Sequence, residues 1–303
     1  YYFIGIGGIG MSSIARFLLR QGCEVGGYDK TPSPITAALI EEGATIVFDQ
    51  NVKALPAAFS APSTKVIYTP AIPVGHPQKD FFEQQGNSVI KRSVFLGLLT
   101  KDKPTLAVAG THGKTTTTAI LAHLFSALGE SFTAFIGGVL NQNKTNLMST
   151  GYDTILVEAD EFERSFLQLS PTIGCITSVD ADHLDIYGTE AKVVAAYRAF
   201  SDKIKKVKVV EKTVPLPGLT YSIEEEADYF AERIKAKGFG YQFDLHTPNK
   251  VYREVYFSQL GLHNLSNALA AFAMASQYGL SEELLAASLA HFKGVERRLQ
   301  LIL

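Results

Sequence analysis

Apolar and polar positions along this chain follow two rhythms. Short apolar runs bounded by glycine, proline or acid read as buried parallel strands. Longer stretches with apolar residues three and four apart read as helices packed on them. Over the first hundred residues the pattern predicts strands at 1–6, 24–28, 45–47, 65–69 and 88–90, with helices at 11–20, 35–42 and 94–99. Ile14, Phe17 and Leu18 mark the buried face of the first helix. Asp102, Lys103 and Pro104 read as a linker, because the residue before a proline is biased away from helix. The rhythm then restarts, with strands expected at 106–109, 132–136, 154–158 and 172–177 and helices at 116–128 and 190–204. A polar loop is expected at 141–146. Residues 205–249 are harder to assign: Pro215 and Pro217 interrupt short β-like runs such as 240–245. The lysine-rich start of that stretch, KIKKVKVVEK, gives no turn signal before the next strand, as if residues were absent there. A small-residue helix is expected at 264–278, another behind Ser281 as far as 292, and an apolar strand at the end.

Strands alternating with helices predict an α/β chain. Its first part, residues 1–102, reads as a Rossmann-like parallel-sheet domain, and residues 103–294 read as a second α/β domain of the P-loop kind. The length agrees: 303 residues at 46% apolar fit two or three domains of about 100–200 residues each. A net charge of −2 leaves no basic footprint for nucleic acid. Cys23 and Cys175 stand alone, without metal-type spacing, which fits reduced thiols in a cytoplasm. No apolar run approaches the ~18 residues of a membrane span, so the expectation is a soluble protein. The chain begins at Tyr1 inside what reads as a strand, so its ends look cut.

The candidate chemistry centres on TLAVAGTHGKTTTT, residues 105–118. An apolar strand breaks into a glycine turn, and Lys114 with four threonines opens a helix. Glycines let backbone N–H groups approach oxygen atoms, and the helix N-terminus adds partial positive charge. Lys114 would reach the outer phosphates of a nucleotide and the Thr115 hydroxyl would hold Mg²⁺. The common GxxxxGK[ST] pattern fails by one position, since Val108 stands where its first glycine belongs, so this is a shorter loop. A plain glycine turn with a solvated lysine is the competing reading.

Nearer the start, GIGGIG at residues 5–10 is followed about 20 residues later by Asp29, the arrangement of a dinucleotide fingerprint. It admits a pyrophosphate on the helix N-terminus with Asp29 near a ribose or base, or a purely structural turn. Glu158 and His183 end two further strands on the side where open α/β sheets bind ligands. A hydroxyl, a carboxylate and an imidazole around a triphosphate can hold magnesium. The imidazole is the odd member, and His183 could simply hydrogen-bond Asp180 or Asp182. Zinc is not expected, since no second His or Cys falls at ligand spacing. Asp160 and Glu161 either support the site or are solvated. Asn264 and Asn267, three apart at a helix start, can share a face and pair with an adenine edge. Ordinary helix capping explains either of them equally well.

Taken together, GIGGIGMS, GTHGKTTTT, VEADE, DADHLDIYG, HNLSNALAA and GVERRLQ occur in the order seen in the Mur ligases of peptidoglycan synthesis, which the chain resembles over essentially its whole length. The resemblance implies a first domain that binds the uridine diphosphate of a nucleotide sugar. Gly7, Gly8, Ile9 and Gly10 would lie on the diphosphate, and Asp29 and Thr69 near the uridine. It implies ATP on Gly110, Thr111, Gly113, Lys114, Thr115 and Thr116, adenine on Asn264 and Asn267, and a contribution from Arg298. Thr115 with Glu158 would hold one magnesium and Glu158 with His183 a second, making Lys114, Glu158 and His183 catalytic. His112 would face the muramoyl moiety. The implied reaction joins L-alanine to UDP-N-acetylmuramate through an acyl phosphate formed from ATP. Some Mur ligases carry a carbamylated lysine where this chain reads YRAFS at 197–201, as the alanine-adding branch leads one to expect. Residues 295–303 would begin a third domain, without which this stretch is expected to be inactive. Rival readings are the recycling ligase that adds a tripeptide to the same nucleotide sugar, an NAD-dependent dehydrogenase, and a non-catalytic nucleotide-binding module. The retained GIGGIGM speaks against the first and the second nucleotide site against the dehydrogenase.

Overall fold

The computed structural model describes residues 1–140, 145–180, 187–223 and 225–295. They fall into two compact units, Tyr1–Leu99 and Thr100–Leu303. In the first, strands β1 (Tyr2–Ile4), β2 (Gly26–Tyr28), β3 (Thr45–Val47), β4 (Val66–Tyr68) and β5 (Val89–Lys91) form a five-stranded sheet in the order β3-β2-β1-β4-β5. Every pairing is parallel. Helices α1 (Ile9–Arg20), α2 (Pro34–Glu41) and α4 (Arg92–Thr100) match the expected segments to within two residues at each end, whereas α3 (Pro77–Gln84) was not expected. Ser33 starts α2 with a capping box closed by Thr36, and Pro34 holds the first turn. Between β3 and β4 the chain makes two 3-10 turns, Val52–Ala54 and Ala57–Phe59, which the apolar pattern did not reveal. The second delivers Phe59 to a core where its ring and that of Phe82 lie 5.6 and 5.3 Å from Tyr2. Phe82 is fully buried, so Phe82→Ala should cost about 3–5 kcal/mol, read as a lower denaturant midpoint for this unit. The sheet order reverses at β1, so the carboxyl ends of β1 and β4 flank the crevice where such sheets bind ligands.

The second unit holds β6 (Thr105–Ala109), α5 (Lys114–Ala127), β7 (Phe132–Phe135), β8 (Leu147–Ser149), β9 (Thr154–Glu158) and β10 (Ile173–Ile176). After these come α6 (Glu190–Lys203), β11 (Val207–Glu211), β12 (Leu219–Ser222), β13 (Tyr229–Lys237), β14 (Gly240–His246), β15 (Val251–Phe257), α7 (Leu262–Tyr278) and α8 (Glu282–Ser288). The strands make one ten-stranded sheet, β15-β14-β13-β12-β11-β10-β6-β9-β7-β8. From β7 to β13 all neighbours are parallel, while β8 at one edge and the β14–β15 hairpin at the other run antiparallel. The second half of the lysine-rich stretch is β11. Helix α6 passes into it through residues 204–206, held by Lys205 N–H on Pro171 O and Lys206 N–H on Thr172 O. No turn signal is needed there, because the helix feeds the strand directly. Residues 205–249 thus supply three strands and part of a hairpin. The expected polar loop at 141–146 and the terminal strand fall largely or wholly outside the described residues.

Helices α5 and α7 cover this sheet. Residues 268–275 of α7, mostly alanine, are fully buried, and these small side chains let the helix lie close to α5. A helix apolar on every side belongs inside a unit. Among the described residues no helix is long and apolar enough to cross a membrane.

Candidate functional site

β6 ends at Ala109, and the loop 110–113 turns into α5. Gly113 is the N-cap in a left-handed conformation (φ 80°), which only glycine adopts without strain. It also has no room for a side chain, since a Cβ would lie 2.3 Å from Asn267 Oδ1. The loop is clasped by the segment after β10. Thr111 N–H donates to Ser178 O (3.2 Å), His112 N–H to Ser178 Oγ (3.0 Å) and Asp180 N–H to Thr111 Oγ1 (2.9 Å), while Thr177 Oγ1 donates to His112 O. Thr177 and Ser178 carry no motif of their own, so the sequence offered no signal for them. The His112 ring is exposed, 3.6 Å from Asp180 Oδ2.

Lys114 folds back over the loop. Its ammonium donates to Gly110 O (2.6 Å), Thr111 O (3.3 Å) and Glu161 Oε1 (2.9 Å). Glu161, which the sequence left as either supporting or solvated, is 4% exposed and faces this lysine. Asp160 is partly buried and accepts from Phe162 N–H at 3.0 Å.

Glu158 ends β9 beside the start of α5. Its Oε2 accepts the Gly137 N–H at 2.9 Å, and a Cβ at Gly137 would sit 2.4 Å from that oxygen. The next glycine leaves space for Thr115, whose Cγ2 would be 2.9 Å from a Cβ at Gly138. Burial pushes the Glu158 carboxyl above its ordinary pKa, against the opposing pull of the Thr115 hydroxyl, the Gly137 N–H and Lys114. A carboxylate short of positive charge, a hydroxyl beside it and a wall kept open by two glycines fit a hard cation that takes oxygen ligands. Among the described residues no three His, Cys, Asp or Glu side chains cluster as a metal cage. Magnesium that shares its coordination with nucleotide phosphates does not require one. His183 and Arg298 lie outside the described residues.

The N-terminus of α7 borders the same loop. Its N-cap is Gly261, without a side-chain hydrogen bond, so neither asparagine caps the helix. Asn264 Nδ2 instead donates to Leu260 O at 2.7 Å, and Asn267 stands against Gly113. A cleft of about 550 Å³ is lined by His112, Gly113, Thr116, Asn264 and Asn267, with Tyr221 among its other walls. Candidates scattered over 155 residues of sequence, from 112 to 267, therefore meet around one cavity.

The first unit has its own cleft, about 930 Å³, at the switch point of its sheet. Gly7, Gly8, Asp29 and Thr69 line it, whereas Ile9 and Gly10 fall in the first turn of α1 and do not. Gly10 instead makes room for the Arg92 guanidinium, whose Nη1 would be 2.1 Å from a Cβ there. Asp29 closes the turn, accepting the Gly7 N–H at 2.7 Å. His76, not foreseen, lies in the wall of this cleft with its ring 4.8 Å from that of Tyr28.

Two family models match the chain: the Mur ligase family catalytic domain over residues 1–104, and the Mur ligase middle domain over 108–275. The UDP-N-acetylmuramate–L-alanine ligase of Flavobacterium johnsoniae is 45% identical over 299 residues, 98% of this chain and 67% of that protein. Its counterpart in Flavobacterium psychrophilum is 46% identical with the same coverage. The crystal structure of the UDP-N-acetylmuramate–alanine ligase from Thermotoga maritima superposes with a TM-score of 0.88 at 28% identity, covering all of this chain and 70% of that one. The UDP-N-acetylmuramate:L-alanyl-γ-D-glutamyl-meso-diaminopimelate ligase from Neisseria meningitides gives 0.86 at 23% identity over 98% of each chain, a likeness of fold alone.

Proposed function

Because this chain belongs to the Mur ligase family, we propose that it carries the nucleotide-binding part of a ligase that joins L-alanine to UDP-N-acetylmuramate at the expense of ATP. The observation that carries this reading is the pair of phosphate turns, one in each unit and each opening on its own cleft. A dehydrogenase needs one nucleotide site, whereas this chain has a glycine turn opening on a cleft in each unit. Residues 1–102 would bind the nucleotide sugar, with Gly7 and Gly8 at the diphosphate and Asp29 and Thr69 toward the uridine. Residues 103–294 would bind ATP, with Gly110, Thr111, Gly113, Lys114, Thr115 and Thr116 on the phosphates and Asn264 and Asn267 at adenine. His112 is proposed to face the muramoyl group, with His183 and Arg298 completing the set. The stretch from 295 would lead into the part of the relatives that this chain does not cover, where the amino acid would be selected.

A carboxylate is a poor acyl donor, so ATP must first activate it. An oxygen of the lactyl carboxylate attacks the γ-phosphorus and ADP leaves. The alanine amine then attacks the acyl carbon, and the tetrahedral intermediate collapses by expelling phosphate and losing the amine proton. The chain's task is to bring two anions together. Lys114 and the N-terminal N–H groups of α5 draw the γ-phosphoryl group into place and bear the charge that grows on it during transfer. Thr115 and Glu158 would hold magnesium, with His183 at a second ion, and the metal would neutralise charge shared between phosphate oxygens. No side chain forms a covalent bond to the substrate.

The full-length protein should release phosphate from ATP only when UDP-N-acetylmuramate and L-alanine are both present, followed in a continuous phosphate assay. Equal turnover with L-Ala-γ-D-Glu-diaminopimelate in place of alanine would sink the assignment.

A further inference from the structure

We propose that Glu161 is a resident anion that occupies the Lys114 ammonium in the nucleotide-free protein and is displaced by the phosphates of the incoming nucleotide. The inference rests on the reading that the loop 110–116 binds ATP, and adds that binding there is an exchange of anions on one lysine.

The lysine has three N–H donors and no acceptor. All three are engaged: two by loop carbonyls, Gly110 O and Thr111 O, and the third by Glu161 at 2.9 Å. The carbonyls belong to the loop that would cradle the phosphates and stay with it. The carboxylate is the partner that another anion can replace. Both side chains are withdrawn from water, with 14% of the lysine and 6% of the glutamate exposed. An empty loop would otherwise leave a buried ammonium short of one partner, which is costly.

The surroundings hold the backbone of Glu161 in place beside the lysine. Its carbonyl accepts from Tyr187 Oη (2.6 Å) and Arg164 N–H (2.9 Å), and Phe166 N–H donates to the preceding Asp160 O (2.8 Å). Immediately beyond, Glu163 (φ 50°) and Arg164 (φ 57°) adopt the left-handed region without being glycine. Non-glycine residues hold such a conformation where the surrounding structure over-determines it, and they cluster at switch segments and active sites. A purely structural role is a weak explanation of the pair, since buried ion pairs often only break even against apolar packing. Its value lies in the competition: each phosphate that reaches Lys114 must evict a carboxylate, and each departing nucleotide finds one ready to return.

The test is a double-mutant cycle read by calorimetric titration with the β,γ-methylene analogue of ATP and magnesium. Glu161→Gln removes the resident charge and Glu161→Asp shortens its reach. Both should bind the analogue more tightly than wild type, Glu161→Gln by roughly tenfold, the scale of one charge-assisted hydrogen bond. Each should melt below wild type without nucleotide yet gain more on adding it. In a Lys114→Met background the Glu161 substitutions should no longer change affinity. Unchanged or weaker binding by the folded variants, or equal effects with and without the lysine, would overturn the exchange. Should Glu161→Gln fail to fold, Glu161→Asp decides alone. A wild-type chain that binds no analogue overturns the ATP assignment together with the exchange.

Discussion

Lys114→Ala should lower turnover of the full-length ligase by about 10³-fold while leaving the dissociation constant for UDP-N-acetylmuramate unchanged. The first half follows from charge. The lysine sits at the mouth of α5 with its ammonium over the loop, and phosphoryl transfer between two anions depends on the positive groups placed there in advance. The second half follows from architecture, since the cleft proposed for the nucleotide sugar is lined wholly by residues of the other unit. The substitution also strands Glu161 in a buried position, at a cost of about 3–5 kcal/mol. Lys114→Ala/Glu161→Gln should therefore recover most of the lost stability and none of the turnover. Stopped-flow turnover beside thermal melts separates the two effects. A parallel loss of nucleotide-sugar affinity would contradict the assignment of the two sites to separate units.

Glu158→Ala should be nearly as severe for catalysis, about 10²–10³-fold, with a marked rise in the magnesium concentration needed for half-maximal rate. Its effect on the empty protein runs the other way. Burial raises the carboxyl pKa in the folded state, so the fold favours the protonated form. A group of this kind contributes stability that is fully present below its unfolded pKa and lost as pH rises through the raised folded value. The wild-type protein should thus lose stability relative to Glu158→Gln as pH climbs above the ordinary carboxylate range, and added magnesium should reverse the difference at neutral pH. Melting curves at several pH values, with and without the metal, check this. A variant that is uniformly less stable, with unchanged magnesium dependence, would remove Glu158 from the metal site.

Much of this was legible in the sequence for a physical reason. Parallel strands buried on both faces read as apolar runs, so the core strands β1, β4, β6, β9 and β10 stood out, and both phosphate turns sit where such strands end. The edge of the second sheet was hidden. β13 and β15 are largely solvated strands whose lysines, arginines and glutamates break the alternation, and bulges shift their register at Arg233 and Glu254. Glu161 was hidden differently. Its sequence neighbourhood, ADEFE, left a supporting and a solvated role equally open, and only the fold shows that Lys114, 47 positions earlier in the chain, reaches it. For Asn264 the reverse holds. Capping and ligand contact looked equally good until Gly261 proved to be the cap. His183 remains an assignment by resemblance.

The central claim is that one chain carries two separate nucleotide sites. Titrating it with UDP-N-acetylmuramate, with the magnesium complex of the methylene ATP analogue, and with each in the presence of the other tests this most directly. The account predicts one binding event for each ligand and neither displacing the other, with Lys114→Ala affecting the ATP analogue alone. Mutual displacement, or a single site shared by both nucleotides, would contradict it.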